Sequence, residues 1–141
     1  MTAVRRFIDT SVLLYSISRD RGEARKHERA AALLQADDLA LSAQVLQEFY
    51  VQATRAGRPD RLPHDLAAEL VRTWMRFPVQ ETTVRIHEAA LEIEAAHGLT
   101  YWDSTIVAAA QALGCQEVHS EDLRHGQQIG GVIVVNPFRD P

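Results

Sequence analysis

Apolar residues fall along this chain in two rhythms. Short runs rich in β-branched or aromatic residues occur at Val4 to Ile8, Leu39-Ala40-Leu41, Phe77-Pro78-Val79, Glu117-Val118-His119 and Val132 to Val135. Each is too short for a stable helix and is bounded by turn-forming residues, so each predicts a strand, with Phe77-Pro78-Val79 suited to an edge. Longer stretches of good helix formers lie between them. Val12 to Ile17 predicts a short helix, and Glu23 to Ala36 a longer one closed by Asp37-Asp38. Ser42 is placed to cap a helix through Arg55 whose apolar stripe is Val45, Leu46, Phe49 and Ala53. Further helices are predicted over His64 to Trp74, over Thr83 to His97 with Gly98 just past its end, and over Ser104 to Leu113 with Gly114 following.

Short strands alternating with helices are the signature of βα units. They predict an α/β protein: a three-layer α/β/α sandwich around a mostly parallel twisted sheet covered on both faces. At 141 residues with 46% hydrophobic and 24% charged composition, the expectation is a single domain over residues 1–141 with an ordinary core. Cys115 is the one cysteine, which excludes an intramolecular disulfide and suits a reducing compartment. Met1 to Ser18 imitates a signal peptide, with Arg5 and Arg6 ahead of apolar residues, but Asp9 interrupts the apolar part. No apolar run reaches the length of a membrane span, so the expected location is cytoplasmic.

Charge changes the picture at particular places. The formal net charge of −4 argues mildly against a nucleic-acid partner. Open parallel sheets, however, bind ligands beyond the carboxyl ends of their strands. Asp9 ends the first predicted strand, and Ser120-Glu121-Asp122 ends the fourth. Glu48 sits beside the apolar stripe of its helix, and Asp103 opens the apolar run from Ile106 to Ala110. Each acid also has a structural explanation. Asp9 or Thr10 can cap the helix after it, Thr100 and Asp103 have capping-box spacing, Asp122 can close a turn, and Glu48 can be a solvated helix residue. Four acids arriving at one end of one sheet are harder to explain that way. Two such charges about 5 Å apart cost roughly 3 kcal/mol, so a shared site must raise a pKa or take up a cation. Oxygen donors suit Mg²⁺ or Mn²⁺, and a lone Cys115 with scattered histidines does not make a zinc site.

The same residues carry a family resemblance. Phe7-Ile8-Asp9-Thr10-Ser11-Val12-Leu13, Ser42 to Phe49, Tyr101-Trp102-Asp103-Ser104 with the apolar run from Ile106 to Ala110, Ser120-Glu121-Asp122-Leu123 and Val134-Val135-Asn136-Pro137-Phe138 occur in order. Together, from Val4 to Phe138, they resemble the PIN-domain ribonucleases, and among these the VapC-type toxins of prokaryotic toxin–antitoxin pairs. The resemblance implies an acidic site holding one or two Mg²⁺ or Mn²⁺ ions through Asp9, Glu48, Asp103 and Asp122, with Thr10, Ser11 and Ser120 as neighbouring hydroxyls. Glu121 or Asp122 could serve as the last ligand, and the family's pattern favours Asp122. It also implies a homodimer and an antitoxin protein that covers the groove.

The chemistry expected is metal-assisted hydrolysis of an RNA phosphodiester, leaving a 5′-phosphate and a 3′-hydroxyl. Positive charge for RNA must be local: Arg19, Arg21, Arg25 and Lys26, or Arg55, Arg58 and Arg61, together with Arg124 after Asp122. A metal-free route through His97, His119 or His125 would instead leave a 2′,3′-cyclic end. A receiver-like or phosphatase domain needs a second acid beside the first or a late lysine, yet the only lysine is Lys26. A catalytically inactive PIN-fold module binding RNA or protein is the remaining alternative.

Overall fold

The computed structural model describes residues 5–140. Val4, the first residue of the first predicted strand, lies outside them. The chain runs β1 (Arg6–Ile8), α1 (Thr10–Ser16), a 3₁₀ turn (Arg21–Glu23), α2 (Ala24–Leu33), β2 (Leu39–Ser42), α3 (Ala43–Ala53), α4 (His64–Trp74), β3 (Val79–Gln80), α5 (Val84–His97), α6 (Tyr101–Ala112), β4 (Glu117–His119), β5 (Gln128–Ile129) and β6 (Val132–Val135). The strands form one six-stranded sheet in the order β3-β2-β1-β4-β6-β5. All pairings are parallel except the β5–β6 hairpin. Helices α1 to α4 pack among themselves and α5 packs on α6, which crosses β2, β4 and β6. The result is the expected α/β/α sandwich.

The central strands β1, β2 and β4 are largely buried on both faces, whereas β6 alternates with Ile133 exposed. Phe7 and Ile8 of β1, Leu41 of β2 and Val118 of β4 have no exposure, and Val12, Leu13, Val45 and Phe49 cover them from α1 and α3. Burying side chains of this size contributes about 1.5–3 kcal/mol each. Trp74 of α4 closes edge-on against Phe49, with ring centroids 4.7 Å apart.

Several boundaries differ from the expected ones, each for a local reason. Helix α1 begins at Thr10 because Asp9 itself is the cap. The helix expected over Glu23 to Ala36 is shorter, since Asp20 first caps a separate 3₁₀ turn. Helix α6 starts at Tyr101, three residues earlier than expected, because Thr100 accepts from the Asp103 N–H at 3.1 Å. Strand β5 has no counterpart in the sequence reading. It is made by a turn at Gly130 and Gly131, with φ of 54° and 86°, conformations that favour glycine.

The order of the strands fixes where a ligand can enter. Strand β1 pairs with β2 on one side and with β4 on the other, so the direction of winding reverses at the β1–β4 seam. The chain leaves both strands there at the same level, with the Asp9 N–H donating to the His119 carbonyl at 3.1 Å.

Candidate active site

Asp9 leaves β1 at this seam with 7% of its surface exposed. One carboxylate oxygen accepts from the Thr10 N–H at 2.7 Å, and the other from the Ser120 hydroxyl at 2.6 Å. Burial is the main force pushing its carboxyl up to about 6, helped by the charges of Asp122 and Glu48 and opposed by those two hydrogen bonds. Ser120 is itself fully buried and bridges the loop, because its hydroxyl also accepts from the Asp122 N–H at 3.1 Å.

Glu48 projects from α3 toward the same point. Its Oε2 accepts from the Thr10 hydroxyl at 3.0 Å and its Oε1 from the Gln44 amide at 3.0 Å. Thr10 thus links the cap of α1 to the interior of α3, using its N–H on Asp9 and its hydroxyl on Glu48. Asp103 stands in the first turn of α6, where its own N–H is capped by Thr100. Its carboxylate does not complete the capping box: among the described residues it accepts no hydrogen bond. The carboxylate of Asp122 likewise accepts none. Burial first, then the charges of Asp103, Glu121 and Glu48, raise the Asp122 carboxyl above its ordinary value.

Asp9, Glu48, Asp103 and Asp122 all line one cavity of about 360 Å³, together with Thr10, Ser11 and Glu121. Glu121 differs from the other acids in its partners. It accepts from the Tyr15 hydroxyl at 2.6 Å and pairs with Lys26 at 2.5 Å. Burial opposes its ionised form, but the bonds from Lys26 and Tyr15 outweigh it and hold the carboxyl below its ordinary value. Ser11 lies 3.5 Å from the Glu121 N–H. Among the described residues no ion pair reaches Asp9, Glu48, Asp103 or Asp122. Arg124 is exposed and outside the cavity lining.

The model of the PIN domain family matches residues 6–128. The chain belongs to the PIN domain family. This PIN domain is similar in structure to a toxin–antitoxin complex from Klebsiella pneumoniae, with a TM-score of 0.68 and 20% identity over 94% of this chain and 97% of that one. It is also similar to VapC20 of Mycobacterium tuberculosis, a Sarcin-Ricin loop cleaving toxin, with a TM-score of 0.64 and 24% identity over 83% of this chain and 89% of that one. DNA-bound VapBC from Salmonella typhimurium gives a TM-score of 0.63 and 19% identity over 94% and 97%. At these identities the likeness is one of fold. No curated protein sequence matches the chain.

The donor set of this PIN domain suits a hard divalent cation in three respects. The cavity's acids are all oxygen ligands, Asp9, Glu48, Asp103 and Asp122 lack a cationic partner among the described residues, and the carboxylates of Asp103 and Asp122 are unengaged. Asp9, though bonded twice, keeps lone pairs, since a carboxylate has about four acceptor sites. Among the described residues, no three His, Cys, Asp or Glu side chains already converge on one point. Asp103 and Asp122, whose carboxylates accept no hydrogen bond, are the acids of the set least constrained by neighbours.

Sequence reasoning missed the polar companions of the acids. Gln44 orients Glu48 from one turn earlier on the same helix, an i,i+4 pair the sequence reading passed over. Tyr15, which orients Glu121, carries no local signal, because that contact depends on chain segments meeting in space. Arg58, Gln52 and Trp102 line the cavity too. Of these, Arg58 belongs to a basic cluster and Trp102 to the motif around Asp103, while Gln52 carries no signal in the sequence.

Proposed function

We propose that this PIN domain is a Mg²⁺- or Mn²⁺-dependent endoribonuclease and the toxin of a toxin–antitoxin pair. One observation carries the nuclease reading: four carboxylates from four different parts of the chain share a cavity at the sheet's switch point, with no basic side chain paired to them. One or two divalent ions bound there supply Lewis-acid polarisation of the phosphodiester, neutralisation of its charge and a water of lowered pKa. Asp9, Asp103 and Asp122 are the residues that would hold such ions, with Glu48 completing the set.

The chain's own residues do the positioning. Ser120 and the Thr10 N–H fix the plane of the Asp9 carboxylate. Thr10 and Gln44 hold Glu48 from both oxygens, leaving its remaining lone pairs to accept a hydrogen bond from the attacking water. Lys26 and Tyr15 hold Glu121 aside, so Asp122 is the acid of that loop free to serve as a ligand. Water then attacks phosphorus, giving up a proton, as the P–O3′ bond breaks and O3′ takes up a proton from solvent, and the products carry a 5′-phosphate and a 3′-hydroxyl.

The toxin role is supported by the fold shared with the Klebsiella toxin–antitoxin complex and with the toxin VapC20. The partner proposed is an antitoxin whose segment covers the acidic cavity. A homodimer is supported by the apolar face of α3 and α4, where Val51 and Met75 are 63% and 54% exposed beside Leu46 and Val71. Incubating purified protein with RNA tests the chemistry. Cleavage is expected with Mg²⁺ or Mn²⁺, to stop with EDTA, and to be lost in Asp9→Asn. Cleavage that survives EDTA, or that leaves 2′,3′-cyclic ends, overturns the reading. Expression without the antitoxin is expected to arrest growth, and Asp9→Asn to remove the arrest.

A further inference from the structure

The acidic cavity has a part that the acids do not explain. Arg58 reaches it from the loop after α3, and Trp102 from the first turn of α6. Arg58 is held in place: its Nε donates to Asp60 at 2.7 Å, and the pair is only 16% and 18% exposed. Asp60 in turn accepts from the Arg19 N–H at 3.3 Å, which ties the loop to the α1–α2 connection. Backbone bonds from Leu62 to Ala53 at 2.9 Å and from Arg58 to Arg55 at 3.1 Å close the loop around it. Among the described residues, the two terminal nitrogens of the guanidinium donate no hydrogen bond. Arg58 is not the counter-ion of the catalytic acids, since the charges acting on Asp9 and Asp122 are those of other acids. It stands where the cavity meets a second pocket of about 510 Å³, which it lines with Arg19 and Arg55 and with the acids Asp20, Glu23 and Asp60.

Trp102 is the opposite kind of residue. Its neighbour Asp103 faces the acids, while the indole is 63% exposed at the cavity's edge. Tyr101 touches it edge-on, at 5.0 Å between centroids and 74°, and Tyr101 is itself fixed by a 2.8 Å bond to His87. A supported indole beside a phosphate site is a stacking platform for an unpaired base. A rigid guanidinium with its fork open is a receptor for a phosphate.

The geometry points to Arg58 and Trp102 as the substrate-gripping pair of this site: Arg58 binds a backbone phosphate next to the scissile one, and Trp102 stacks a base of an unpaired strand. The inference rests on the nuclease reading for its substrate, and its residues are positioning residues outside the acidic set. It favours single-stranded RNA, because a paired base cannot reach the indole.

The test measures binding of a fluorescent, unstructured oligoribonucleotide over a salt series, in an Asp9→Asn background that does not cleave, with the folding of each variant checked by circular dichroism. Arg58→Ala is expected to weaken binding several-fold and to reduce the slope of log affinity against log salt by about 0.7, one phosphate's share on a single strand. Trp102→Ala is expected to weaken binding about tenfold without changing that slope, and Trp102→Phe to keep most of it. A duplex of the same sequence is expected to be indifferent to Trp102. Binding unchanged in either alanine variant overturns the pair, as does a parent protein that does not bind the oligonucleotide. Cleavage by the wild-type chain, assayed alongside, separates the two readings. Absent cleavage with binding that depends on both residues overturns the nuclease reading and leaves the grip standing, whereas cleavage with indifferent binding overturns the grip alone.

Discussion

Asp9 does two jobs that conflict electrostatically. It caps α1 through the Thr10 N–H, and it brings a charge into a nearly closed position beside Asp122 and Glu48. Its carboxyl, raised from 3.8 to about 6, makes the sign of the pH effect definite. Below the unfolded value both states are protonated and no penalty exists. As pH rises through about 6 the folded chain must ionise a group that the unfolded chain ionises more easily, and stability falls by up to about 3 kcal/mol. Asp9→Asn is therefore expected to raise the melting temperature of the metal-free protein at pH 7.5, with a gain that vanishes near pH 4. A variant less stable than wild type at pH 7.5 would show that the cap and the Ser120 bond outweigh the buried charge. Glu121 and Asp122 provide a second contrast at this scale. Glu121→Gln breaks a half-exposed pair with Lys26, worth about 1 kcal/mol at most, and is expected to leave the cleavage rate within about twofold. Asp122→Asn is expected to lower it about a hundredfold or more. Steady-state rates reversing that order would move the metal-binding role to Glu121.

At the scale of elements, α6 is the one whose start matters most. Thr100 caps it, so Tyr101, Trp102 and Asp103 form its first turn rather than a preceding loop. An acid in the first turn is favoured by the helix dipole, which lets Asp103 tolerate its charged neighbours while its carboxylate stays free. Thr100→Ala is expected to cost about 1 kcal/mol in urea unfolding and Thr100→Ser almost nothing. An equal loss in both would show that the methyl, not the hydroxyl, is what matters there. This helix also shows what the sequence made legible. The stripe of Ile86, Ala90 and Ile93 and the left-handed Gly98 located α5 within a residue, because burial and the glycine constraint act locally. The aromatic pair ahead of Asp103 weakened the periodic signal at α6. Strand β5 was hidden because two residues, Gln128 and Ile129, carry no alternation to detect. The acids stand out because each follows a strand or flanks a stripe, and the resemblance names Thr10, Ser11 and Ser120 as hydroxyls near them, but which partner each acid takes is not legible. Thr10 reaches Glu48 across 38 positions, and Tyr15 reaches Glu121 across 106.

For the whole molecule the net charge of −4 is less informative than its distribution. Four of the fifteen Lys and Arg residues pair with acids among the described residues: Arg6 with Asp38, Arg25 with Asp140, Lys26 with Glu121 and Arg58 with Asp60. Asp9, Glu48, Asp103 and Asp122 have no such partners among the described residues, so repulsion is concentrated where α1, α3, α6 and the β4 loop meet. Those four segments come from both helical layers and the central strands, so a cation bound among them would brace the fold as a unit. A ligand that binds only the folded state stabilises it by mass action, about 2.7 kcal/mol at a hundredfold excess over its Kd. For a domain of this length that corresponds to a rise in melting temperature of about 10 °C. Protein freed of metal with EDTA and then returned to Mn²⁺ is expected to show a rise of that order, saturating with concentration. Asp9→Asn and Asp122→Asn should start higher than wild type and respond less, since each removes both a repelling charge and a ligand. The two effects move in opposite directions, so nonspecific ionic strength cannot imitate them. If Na⁺ at matched ionic strength gives the same rise, or if the variants respond to Mn²⁺ as wild type does, the four acids do not form a divalent-cation site.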